Sequence, residues 1–156
     1  MEPNSSSTDQ AFLEELRRRR AELRESMSAL EDALATQTTV DRARWAERVH
    51  AALVELSGDF REHVDITEGP DGLYRELLAT SPHLGGAVTG LTREHVLIRD
   101  ELDDLVTRLQ AVDVVEETAD IRERGTTLLG RLVRHRQRGA DLVFEAYAFD
   151  IGGETG

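Results

Sequence analysis

A helical period that returns four times constrains this chain more than any other feature. Leu13, Leu16, Arg20, Leu23, Met27, Leu30 and Leu34 are spaced by threes and fours, which a helix turns into one face. A second stripe runs Trp45, Val49, Ala52, Leu56, Phe60, His63 and Thr67, and a third Val88, Leu91, His95, Ile98, Leu102, Leu105 and Leu109. The fourth is Ile121, Gly125, Leu128, Leu132, His135, Gly139, Leu142, Ala146 and Phe149. No alternation of polar and apolar residues is long enough to argue for a strand. The expected fold is therefore all-α, an up-down-up-down four-helix bundle whose short links favour antiparallel neighbours.

The breaks carry their own signals. Thr8 and Asp9 are expected caps for the first helix, Thr39 or Asp41 for the second, and Asp113 with Glu116 has capping-box spacing for the fourth. Between the second and third stripes stands the breaker cluster Gly69-Pro70-Asp71-Gly72. A short amphipathic helix from Leu73 to Ala79 follows, expected to close one end of the bundle. At Ser81-Pro82, Ser caps and Pro takes the first helical position. The domain reading is a disordered tail over 1–9, one bundle over 10–149 and a C-terminal tail over 150–156.

A length of 156 residues with 39% hydrophobic content suits one core. The absence of cysteine excludes disulfides, thiolate metal sites and a cysteine nucleophile, so any metal must be held by His, Asp, Glu or water. Residues Met1 to Gln10 are polar and Ser-rich, and no segment approaches a membrane span, so a cytoplasmic protein is expected. With 31 acidic against 19 basic residues and a formal charge of −12, neither nucleic acid nor an anionic membrane is an expected partner. The basic run Arg17 to Arg20, flanked by Glu14, Glu15, Glu22 and Glu25, reads as a solvated helix face with i,i+4 pairs. Phosphate loops, nucleophile elbows and zinc-protease patterns are missing, and the paired acids lie off the stripes. A binding protein is expected rather than an enzyme.

Five histidines separate by position. His50 and His83 lie off the apolar faces and read as surface residues. His63, His95 and His135 occupy core stripes at similar heights in an antiparallel arrangement, so they form one layer. Each brings ring nitrogens that need partners. A shared cation would serve three neutral imidazoles at once, and imidazole suits iron, zinc, copper or nickel. A buried hydrogen-bonded network is the other reading of the same layer.

The segments His63-Val-Asp-Ile-Thr-Glu68-Gly-Pro-Asp-Gly-Leu-Tyr, Arg93-Glu-His95, Arg134-His-Arg-Gln-Arg-Gly-Ala-Asp141-Leu and Glu145-Ala-Tyr-Ala-Phe-Asp-Ile-Gly-Gly153 resemble the hemerythrin-like (HHE cation-binding) proteins of actinobacterial type. The likeness covers roughly Trp45 to Gly153. It implies a four-helix bundle with a non-haem di-iron site serving dioxygen or peroxide binding or redox or iron sensing, for which the residues themselves leave a mononuclear iron site as the other form. It further implies a cation site at His63, His95 and His135, with Glu68 as a carboxylate ligand.

The residues depart from that pattern in three ways. The first stripe has no histidine and carries Arg20 at the height of the layer. At the fourth residue after each core histidine, where a carboxylate is usual, stand Thr67, Arg99 and Gly139. Glu68 comes one residue late, turned about 100° from the His63 direction. Asp59, one turn before His63, is a second candidate: a metal ligand, an acceptor for the imidazole proton, or a salt-bridge partner of Arg20. Gly139 either leaves room for a small ligand or marks a close helix crossing. The alternative to a metal protein is a degenerate, metal-free bundle acting as an interaction or regulatory module.

Overall fold

Each apolar stripe becomes a long helix in the computed structural model, which describes residues 5–36, 41–111 and 117–155. The elements are α1 (Ser5–Ala35), α2 (Arg42–Glu68), α3 (Leu73–Thr80), a 3₁₀ turn (Pro82–Leu84), α4 (Gly85–Leu109) and α5 (Thr118–Thr155). No strand occurs among the described residues, and none of their helices is long and apolar enough to cross a membrane.

Local chemistry explains the boundaries. Asp41 caps α2 by accepting from the Arg44 backbone N–H at 3.0 Å. α2 ends where Gly69 turns its N–H back onto the Asp65 carbonyl at 2.9 Å. Gly72 is required by a close approach: a Cβ there would stand 2.7 Å from the Thr67 carbonyl oxygen and 2.9 Å from Gly69. That tight turn folds α3 back over the end of α2. Ser81 does precede Pro82 at the first position of the 3₁₀ turn, but its side chain makes no capping bond, and its hydroxyl is buried without a protein partner. α1 begins at Ser5, so Thr8 and Asp9 stand inside it rather than capping it. Helix likewise continues at the other end to Thr155. Thr39, Asp113 and Glu116 lie outside the described residues.

The long helices pack in a ring, α1 on α2, α2 on α4, α4 on α5 and α5 on α1. Arg122 of α5 closes the ring at the C-terminus of α1, donating to the carbonyls of Leu34 and Thr36 at 2.9 and 3.0 Å while its guanidinium covers Trp45. These carbonyls have no partner within their own helix, so the arginine satisfies acceptors that burial would strand.

The apolar interior falls into two clusters. The larger joins α1, α2, α4 and α5 through residues such as Leu30, Leu56, Phe60, Ile98, Leu105 and Leu132. Full burial of each leucine contributes roughly 1.5–3 kcal/mol relative to exposure. The smaller gathers Tyr74 and Leu77 of α3 with Leu84, Val88, Leu91, Leu142 and Ala146. All seven positions of the third stripe are buried. In the first stripe Leu13 departs, being 40% exposed. Arg19 already meets Glu62, so Leu13 lies beside the last turn of α2, where little of the neighbouring helix remains to cover it.

Candidate metal centre

His95 and His135 sit between the two apolar clusters, each 1% exposed. His63 of α2 completes the group: one ring nitrogen from each of the three lies within 4.8 Å of the others. The layer expected from the stripes is therefore present. Its walls are aromatic. Phe60 stacks on His63 and meets His95 and His135 edge-on, while Tyr74 of α3 stacks on His95 with ring centres 5.9 Å apart. Thr67, which lines the same cavity as Tyr74, donates to the His63 carbonyl at 2.8 Å.

The environment keeps the imidazoles neutral. Burial, then the neighbouring His95 and His135, then Arg20 and Arg136 push His63 down to about 3. Burial, His135 and Arg99 bring His95 to about 3 as well. His135 is also lowered, burial outweighing the opposing pull of Glu94. Neutral imidazole is the form a metal binds.

Neutral rings define what each nitrogen does. His95 Nδ1 lies 2.6 Å from a Glu68 carboxylate oxygen, so Nδ1 carries the proton and donates it. The lone pair is then on Nε2, which is buried without a protein partner. Nε2 of His63 and Nε2 of His135 face each other at 3.3 Å. Two nitrogens on one cation, each about 2.0–2.1 Å from it, stand roughly 3.0–3.4 Å apart. His135 Nδ1 points toward Glu94 at 3.7 Å. The donor set fits a single divalent transition metal on three imidazoles, with the Glu68 carboxylate orienting the His95 ring from behind. His95 Nε2 is the orphan that such a cation would take; the Nδ1 atoms of His63 and His135, on the far side of their rings, are also buried with no hydrogen bond from the protein.

The two carboxylates singled out from the sequence separate. Glu68 joins the site as the hydrogen-bond partner of His95 and is not one of the converging donors. Its one-residue offset from the His63 direction turns it toward α4. Burial raises the Glu68 carboxyl against the opposing influence of Arg99 and His135. Asp59 stands apart: it accepts a hydrogen bond from Ser26 and groups with Glu22 and Glu62. No Asp59–Arg20 pair forms among the described residues. Arg18 and Arg19 pair with Glu15, and Arg19 with Glu22 and Glu62, as a solvated helix face requires. His83 is exposed, whereas His50 is half-buried with its Nε2 covered.

Arg20 instead lines a cavity of about 30 Å³ with Arg136, His63, His135, Thr67, Tyr74 and Gly139. Its room suits one or two waters or a small ligand. A Cβ on Gly139 would meet nothing within 4 Å, so this glycine borders open space. The close crossing is at Gly125, where a Cβ would come within 2.8 Å of Leu34.

Glu94, Tyr74 and Arg136 belong to the site without having been singled out from the sequence. Glu94 could have been noticed as a carboxylate next to a core histidine, turned about 100° toward a neighbouring helix. Tyr74 offered only an aromatic on a short amphipathic helix, and Arg136 only its place after His135. No protein-family model, curated protein or solved structure matches the chain. The case for its function accordingly rests on the geometry of the site and on the sequence resemblance.

Proposed function

We propose that this chain is a hemerythrin-like metal-binding protein whose His63, His95 and His135 hold one divalent transition metal, iron in the first instance, within an up-down-up-down four-helix bundle. The observation that carries this reading is the convergence of three neutral imidazoles, those of His95 and His135 buried and that of His63 half-buried, with Glu68 fixing the tautomer of His95. The bundle topology is supported by cross-helix pairs that run in reverse order: Arg19 with Glu62 and Ser26 with Asp59, then Arg138 with Glu94 and Arg124 with Glu101. Three protein nitrogens leave coordination positions open, and the bound ion would supply Lewis acidity or one-electron redox chemistry to a small ligand such as dioxygen or peroxide. Phe60 and Tyr74 keep bulk water from the imidazoles, Glu68 orients His95, and Gly139 leaves space beside them. Carboxylate donors for a second metal are absent from the converging group among the described residues, which favours a mononuclear site.

Arg20 favours a second reading. A guanidinium on the cavity wall beside His63 opposes a nearby cation and suits a metal-free bundle kept as an interaction or regulatory module. Cobalt(II) titration of chelator-treated protein separates the two. The metal reading expects saturation at about one equivalent, with visible d–d bands lost in His95→Leu. Absence of saturable binding, or equal binding by His95→Leu, contradicts it.

A further inference from the structure

The cavity beside the histidines has an electrostatic character of its own. Arg20 and Arg136 both line it, and no Asp or Glu does. Where arginines of this strongly acidic chain meet carboxylates they form close pairs, as Arg18 and Arg19 do with Glu15, Arg108 with Glu117, Arg124 with Asp104 and Arg138 with Glu94. Arg20 and Arg136 make no hydrogen bond or ion pair with another described residue, and the Arg136 Nε is buried without a partner. His63, whose Nδ1 also lacks a protein partner, borders the same space.

Two half-buried arginines on the wall of one cavity, with no carboxylate lining it, leave positive charge there uncompensated. A neutral water can occupy an N–H but cannot neutralise the pair. A small anion does both, and a cavity of about 30 Å³ admits only a compact one. Gly139 keeps the space open, since a Cβ there meets nothing.

We propose that this cavity is a binding site for a small monovalent anion of about the size of chloride or nitrite, held between Arg20 and Arg136 beside His63. The site requires no metal, so it stands whether or not the histidines hold one. An anion there would also offset the charge of Arg20 next to the three imidazoles.

The test uses chloride as the probe on full-length protein, treated with chelator and dialysed into gluconate at constant ionic strength. Chloride-35 NMR line broadening measures binding, and the unfolding midpoint measures linkage. The expected result is saturable excess broadening, with Tm raised by about 3–6 °C at chloride ten times its dissociation constant. Arg20→Met, which removes one charge, and Gly139→Leu, which fills the space and keeps both charges, should each abolish both effects. Arg20→Met should also raise Tm in gluconate, because it relieves the unpaired cation. Chloride no more effective than gluconate on the native chain, or saturable binding retained in either variant, overturns the proposal. Metal content has no part in the readout, so failure here is separate from failure of the metal reading.

Discussion

At the scale of single residues, direction relative to the neighbouring helix decides the role of each carboxylate. Glu68 is one residue out of phase with His63, and that offset lets it reach His95 Nδ1 at 2.6 Å. Glu68→Gln retains the shape of the side chain and removes the charge that favours the Nδ1–H tautomer. It should weaken metal affinity about 10–100-fold, as loss of such an orienting partner does, with little change in the unfolding midpoint of the metal-free protein. Competition with a chromogenic chelator measures the affinity; an unchanged value would mean that Glu68 does not orient His95. The three core histidines were legible because helical period places a residue on its own helix's buried face. The role of Glu68, and the pairing of Asp59 with Ser26 rather than Arg20, were not, because period is silent on the axial stagger between helices.

At the scale of elements, the two glycines of α5's inner face behave oppositely although both are mid-helix. Gly125 meets Leu34 of α1 closely, whereas Gly139 faces space. Gly125→Ala should cost about 1–3 kcal/mol through overpacking unless Leu34 swings aside. Gly139→Ala should gain up to about 1 kcal/mol from helix propensity. Urea unfolding of the two variants checks the contrast, and equal effects of the same sign would contradict it. The sequence offered a glycine on the core face in both cases. Only the positions of Leu34 and of the cavity distinguish them. The third stripe was read in full because α4 is covered along its whole length, while Leu13 shows that a stripe can outrun the helix that should cover it.

At the scale of the whole molecule, a polar layer interrupts an otherwise apolar interior and ties stability to pH. His63 and His95 titrate near 3 in the folded chain against about 6.5 when unfolded. Protons therefore bind the unfolded chain first as pH falls. The stabilising contribution is complete above about pH 6.5 and is lost progressively from there toward pH 3. Around His63 the facing groups are His95, His135, Arg20 and Arg136, all acting in this direction. For the metal-free protein the loss between pH 7 and pH 5 should be roughly 2 kcal/mol per histidine, before most carboxylates titrate. A urea midpoint that stays flat over that interval would show that the imidazoles are already protonated or exposed. Bound metal should hold the imidazoles unprotonated and shift the loss to lower pH.

The central claim is that the histidine layer is a metal site, and elemental analysis of tag-free protein from iron-supplemented cells tests it most directly. The account predicts close to one iron per chain in the native protein and none above background in His95→Leu. Native protein that is folded yet carries no stoichiometric metal would contradict it, and would make the layer a metal-free polar network.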